Sequence, residues 1–174
     1  MLSITSQDPI PIDLTILRDH CRVTDRENDN ALLRSLNAAA VDIENRAGVY
    51  LRSTTVEAYF KGRPDPFRIP CGPVNSITSI TGDSATVPST AYELDKSGGW
   101  WKIRSLSNSA WTFDTIYTLT MNCGFSTLPD PLLISVLELS ALHFENREAA
   151  TPIQLQALPG SVWSILQSYG PGKC

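Results

Sequence analysis

The chain has 174 residues, of which 42% are hydrophobic and 18% charged, and its formal net charge is −4. A chain of this length can bury a core without disulfides or a metal ion. Because phosphate binding depends on clustered Lys and Arg, and no such run exists here, the composition argues against a protein that grips nucleic acid. An acidic wall along which DNA slides and an ordinary acidic surface fit this charge equally well.

The cysteines and the N-terminal segment indicate the cell compartment. Cys21, Cys71, Cys123 and Cys174 form no CxxC pair, so the spacing of zinc and redox sites is missing. Isolated cysteines in a chain of this size indicate reduced thiols and a cytosolic origin. The opening MLSITSQD has neither a basic region nor an apolar stretch, and no apolar run approaches the roughly 20 residues that cross a bilayer. We therefore expect neither a signal peptide nor a membrane segment.

Two helices are predicted before residue 50. Asp13 suits the N-cap of a short helix from Leu14 to about Cys21. After a polar break, apolar residues recur at spacings of three and four, and Gly48 follows them where a left-handed cap is favoured. The apolar residues of this second helix are Leu32, Leu33, Leu36, Ala39, Ala40, Ile43 and Ala47.

Residues 51–125 have the pattern of short strands. Val56, Ala58 and Phe60 occupy alternate positions, as on the buried face of a strand. Turns rich in Gly and Pro, such as that at residues 70–73, divide the region, and a last strand ends at Gly124. This pattern predicts an antiparallel sheet or a small sandwich.

The C-terminal part again reads as helical. Asp130 suits an N-cap and Pro131 the first turn of a helix that is apolar on nearly every side, so it is expected to be buried in its own core or against another chain. After a break at residues 158–160, a short amphipathic helix must fold back on its own domain or dock on a partner, and the sequence leaves these alternatives equal. Its apolar residues are Val162, Trp163, Ile165 and Leu166.

No catalytic set is evident in the sequence. His143 lies on the apolar helix and is expected to be structural, and His20 ends a short helix, where it interacts favourably with the helix dipole. HExxH, P-loop and dinucleotide motifs are missing, so no enzyme, metal or cofactor is predicted. Trp100 and Trp101 could anchor an interface, although packing within the sheet is favoured.

Four segments, taken in order, resemble the head-tail connector family of tailed phages and prophages, also called adaptor or head-completion proteins. These segments are LTILRDHCRV (14–23), the alanine-rich ALLRSLNAAAVDIENRAG (31–48), the passage from YTLTMNCGF (117–125) to FENREA (144–149), and LPGSVWSIL (158–166). The family's Arg-containing ending is replaced here by residues 167–171, and its common Tyr before Glu-Asn-Arg is Phe144.

Pattern and resemblance together predict an α+β fold. Two main helices, with short N- and C-terminal helices, would form a small helical core into which an antiparallel β-sheet or sandwich is inserted. The expected organisation is a single connector domain, helical at 13–50 and 130–148, with a β-rich insert at 51–125 and a C-terminal docking tail at 150–174.

The resemblance implies a structural virion protein that is made in the bacterial host cytoplasm and located in the neck. Copies would form a ring, usually a dodecamer, beneath the portal protein. That ring extends the DNA channel without sequence-specific binding and links the capsid to stopper or tail-completion proteins. In this family the C-terminal segment tends to contact the portal. The candidate docking residues are therefore Val162, Trp163, Ile165, Leu166 and Tyr169.

Other functions remain open at this stage. One is another neck or tail-completion protein of a phage-like particle, such as a gene transfer agent or a prophage. A second is a small hydrolase that uses Cys71 or Cys123 with His143. A third is a ligand-binding β-domain whose aromatic residues line a pocket.

Overall fold

The fold comes from a computed structural model, which describes residues 2–62, 66–83, 85–97, 100–106, 111, 115–146 and 160–169. In chain order the elements are β1 (Leu2–Gln7), α1 (Leu14–Cys21), α2 (Asp29–Ala47), β2 (Thr54–Lys61), β3 (Phe67–Ile69), β4 (Val74–Gly82), β5 (Ala85–Thr86), β6 (Tyr92–Ser97), β7 (Trp100–Ser105), β8 (Ile116–Cys123), α3 (Asp130–Glu145) and α4 (Gly160–Tyr169).

These elements form two compact units. The helical unit contains the described residues within 10–47 and 127–169, and the β unit contains those within 2–9 and 48–126. Most of the β unit lies in sequence between α2 and α3, and its strands pair antiparallel throughout. The predicted α+β fold, with an antiparallel β region inserted between two main helices, is confirmed.

Capping and ion pairing define the start of the helical unit. The Asp13 carboxylate accepts a hydrogen bond of 2.8 Å from the backbone N–H of Thr15 and caps α1, as predicted. Arg18 on α1 donates two hydrogen bonds, of 2.7 and 2.6 Å, to the carboxylate of Asp29 at the start of α2. These bonds favour the charged carboxylate and hold the pKa of Asp29 below its usual value.

Helices α2 and α3 pack against each other. Six of the seven apolar residues assigned to α2 are buried. The exception is Leu33, whose relative exposure is 42%. Asp130 is the first residue of α3 and Pro129 stands at the N-cap, so the predicted cap was one residue late. The helix ends at Glu145, and the predicted end at residue 148 lies outside the described residues.

The larger sheet of the β unit has the strand order β1-β2-β8-β4-β5. β2 and β8 pair along their full length, and their alternate residues form one buried face. That face carries Val56, Ala58, Phe60, Tyr117, Leu119, Met121 and Cys123. Ile116, the first residue of β8, points to the other face and is 62% exposed.

Two irregularities explain the unusual spacing in β4. Val74, Ile77 and Ile80 recur every third residue, a spacing that is atypical of strands. The register of β4 against β8 shifts between Val74 and Ser76 and again between Ile77 and Ser79. Each shift inserts one residue, and the three apolar side chains all pack with the core of the sheet.

A three-stranded sheet with the order β3-β7-β6 completes the core of the β unit. Ile69 and Ile103 belong to that core, and Trp101 packs against it. For Trp101, packing within the sheet, which the sequence favoured over an interface, is therefore confirmed. Phe60 stacks on Phe67 at 4.5 Å between ring centroids. Trp111 and Tyr117 contact the Phe60 ring at centroid distances of 5.4 Å.

Candidate docking surface

Helix α4 carries the predicted docking residues and contains no charged residue. The hydroxyl of Ser164 donates to the carbonyl of Ser161 at 2.8 Å, and that of Ser168 donates to the carbonyl of Ile165 at 2.6 Å. These hydroxyls therefore turn back on their own helix. A helix of ten residues without ion pairs has little stability in water, so α4 depends on the surface against which it packs.

The helix folds back on its own unit, packing against α2 and α3. Val162 is 0% and Leu166 3% exposed, so their side chains are the apolar anchors of α4. Ser161 adds a polar contact, because its hydroxyl donates to Glu138 on α3 at 3.0 Å. The sequence left two alternatives equal, folding back on its own domain or docking on a partner. In the structure, α4 folds back on its own unit.

The five predicted docking residues consequently divide into two groups. Val162 and Leu166 are covered within this chain and are not available at its surface. Trp163 is 48% exposed, and Ile165 and Tyr169 are partly exposed. Docking of a partner on these three side chains stays a prediction, and we refer to them as the α4 surface.

The helical unit exposes further large apolar side chains besides the predicted docking residues. They are Ile16, Leu33, Val41 and Ile134. Leu33 and Val41 lie eight residues apart on α2, and Asn37 between them is also exposed. Ile134 belongs to the helix that is apolar on nearly every side, and that excess of apolar residues was the available signal. Single exposed apolar residues are ordinary, and it is a contiguous apolar patch that marks a surface for a partner.

The cysteine-hydrolase alternative depends on an activated thiol. Cys71 and Cys123 are both buried in the core of the β unit. The hydrogen bond with Cys71, together with burial, raises the pKa of the Cys123 thiol. Both histidines belong to the helical unit, whereas Cys71 and Cys123 belong to the β unit.

The remaining titratable groups of the described residues do not form a metal-ligand cluster. Burial, followed by the negative charge of Glu145, raises the pKa of Cys21. The Nε2 atom of His143 is buried and has no hydrogen-bond partner within the described part of the chain. Over those residues, no three His, Cys, Asp or Glu side chains are grouped to hold a metal ion. None of the described helices combines the length and apolar character that spanning a membrane requires.

Comparisons with known proteins give one kind of match. A scan against family models and a search of curated proteins both find none. Among solved structures, this chain is similar to one in the virion of a native gene transfer agent particle, with a TM-score of 0.81 and 22% identity over 98% of this chain and 95% of the other.

Chains in the necks of such particles give similar values. The neck of an empty particle, computed with C6 symmetry, gives a TM-score of 0.79 and 22% identity over 98% of this chain and 95% of that one. The neck of a native particle, computed with C12 symmetry, gives 0.74 and 23% over 98% and 94%. The chain therefore has the fold that these particle chains share.

Proposed function

We propose that this protein is a head-tail connector subunit, a structural protein of the neck of a phage-like particle. The observation that carries the proposal is a likeness of fold over 98% of this chain and 95% of a chain from a gene transfer agent virion. The four family-like segments, the first of which begins at residue 14 and the last of which ends at residue 166, support the same function.

Copies of the chain form a ring, and twelve is the number that fits the resemblance. Support comes from similar chains in necks computed with C6 and C12 symmetry. The exposed apolar side chains of the helical unit are consistent with burial between neighbouring subunits. Identical contacts repeated head to tail close into a ring when the rotations between neighbouring copies add up to a full turn.

The ring binds the portal protein on one side and a stopper or tail-completion protein on the other, and DNA passes through its channel. The α4 surface is the proposed contact with the portal. Trp163 is its best candidate anchor, because half-exposed Trp side chains bury a large apolar area in protein interfaces. The low charge of the chain fits passage of DNA without sequence-specific binding.

Another neck or tail-completion protein of the same kind of particle is the second candidate, because the matched structures are whole virions and necks. The two proposals differ in the partner that the protein binds. A connector binds the portal directly, whereas a tail-completion protein binds at a later position in the neck.

The decisive experiment measures the mass of the purified protein by light scattering. The protein is measured alone and after mixing with the portal protein of the same particle. We expect a ring-sized species or a stoichiometric complex with the portal. Trp163→Ala should weaken that complex, and Gln167→Ala, an exposed position on the same helix, should not. A protein that stays monomeric and does not bind the portal at high concentration would contradict the proposal.

A further inference from the structure

One edge of the five-stranded sheet is an uncharged strand. Among the described residues, β1 pairs with β2 alone, and every residue of its sequence LSITSQ is exposed. Leu2 and Ile4 lie opposite Ala58 and Val56, so their side chains extend from the core face of the sheet. Ile4 nevertheless remains 51% exposed. At β1, the described part of the chain therefore leaves apolar side chains on the core face of the sheet exposed.

The opposite edge of the same sheet is also uncharged. β4 has the sequence VNSITSITG, and β5 with Val87 covers only its end at residues 80–82. At residues 74–79 of β4, no strand of the described chain pairs with the outer edge. Asn75, Ser76 and Thr78 are exposed there.

The edge of the smaller sheet is protected in a different way. β6 has the sequence YELDKS, in which three of six residues are charged. Glu93 and Asp95 also lie 3.9 and 3.8 Å from the guanidinium of Arg104 on β7. Proteins place charges on exposed edges to prevent pairing with other chains. This chain has such charges on β6 and none on β1 or β4.

The strand directions make the two uncharged edges compatible. All pairs in the sheet are antiparallel, so β1 and β8 run in one direction and β2 and β4 in the other. A second copy placed head to tail therefore sets its β1 antiparallel to β4 of the first. The same placement sets Leu2 and Ile4 on the face that carries Val74 and Ile77.

We propose that β1 of one copy pairs with the outer edge of β4 in the next copy, so that the five-stranded sheets join from subunit to subunit. This inference rests on the proposed function, which requires a ring of identical copies. The contact is heterologous, and repetition of a heterologous contact closes a ring when the rotations between neighbouring copies add up to a full turn. Backbone hydrogen bonds supply the pairing, and the exposed apolar side chains of β1 become covered.

The test introduces a lysine at each edge. Ile4→Lys changes β1, and Thr78→Lys changes β4, with Ser76→Lys as a second β4 variant in case Thr78→Lys does not fold. The matched control is Ile116→Lys, because Ile116 is exposed in the same sheet but lies on β8, which has a strand on each side. Sedimentation velocity over a concentration series measures self-association, and circular dichroism checks folding.

We expect the wild type and Ile116→Lys to associate equally, and each folded edge variant to associate at least about tenfold more weakly. A mixture of Ile4→Lys and Thr78→Lys should form one-to-one heterodimers, because each variant retains the edge that the other lacks. If β1 pairs with β1 instead, Thr78→Lys alone dimerises and Ile4→Lys does not, which overturns the proposal. Wild-type protein that stays monomeric up to about 1 mM also overturns it.

The portal experiment separates this inference from the proposed function. A protein that binds the portal while the edge variants associate like the wild type remains a connector, but its ring forms through other surfaces. A protein that forms the one-to-one heterodimers but never binds the portal retains the edge contact and loses the connector function.

Discussion

The Leu166→Ala substitution tests whether α4 is held on the helical unit in solution. Leu166 is 3% exposed, and truncation of such a leucine costs about 2–5 kcal/mol through lost apolar contacts and the cavity that remains. Because a helix of ten residues has little stability of its own, this loss falls directly on the docking of α4. At 1.36 kcal/mol for each factor of ten, the lower limit corresponds to an increase of about 30-fold in the population of undocked α4.

Hydrogen exchange of the α4 amides measures that population. We expect exchange over residues 164–169 to accelerate about 30-fold or more in Leu166→Ala. Gln167→Ala is the matched control, because Gln167 is the exposed neighbour on the same helix and its change should stay within about 0.5 kcal/mol. Equal exchange in Leu166→Ala and the wild type would refute the packing argument, and α4 would then be a free segment that only a partner orders.

Three further predictions concern the two units. Gly124 has φ 102°, and a Cβ at this position would collide with a backbone carbonyl. Gly124→Ala should therefore lower the free energy of unfolding, measured by urea denaturation, by at least about 2 kcal/mol. An unchanged denaturation midpoint would contradict this. The Arg18 hydrogen bonds lower the pKa of Asp29, so their contribution is present above about pH 4 and is lost as pH falls through the folded-state pKa. Asp29→Asn should therefore lower the thermal midpoint at pH 7 and flatten its decline in acid, and a parallel decline in both proteins would refute the assignment. Iodoacetamide at neutral pH should modify Cys71 and Cys123 only after unfolding, because both thiols are buried, and fast labelling of the folded protein would revive the hydrolase alternative.

The connector resemblance and the structural neighbours point in the same direction for separate reasons. The resemblance depends on residue types in four ordered segments, whereas the neighbours share 22–23% identity and match through their backbones. Only the fold is established by that match. The portal experiment is therefore the test of the function.

Local signals in the sequence determined much of the secondary structure. The Asp13 cap, the periodicity of α2 and the left-handed Gly48 act within a few residues of the chain, so the sequence displays them directly. The alternation in β2 similarly predicts its buried face. The helix and strand patterns and four short segments also sufficed to predict an α+β fold.

Contacts between distant parts of the chain decided the rest. β1 was not recognised as a strand, although Leu2 and Ile4 alternate with polar residues, because its pairing partner lies about 50 residues further along the chain. The exposure of Leu33, the bulges of β4 and the return of α4 onto α2 and α3 likewise depend on tertiary partners. A sequence pattern states which side chains are apolar, but only the tertiary structure decides which of them its own chain covers, because burial depends on neighbours that the local sequence does not contain.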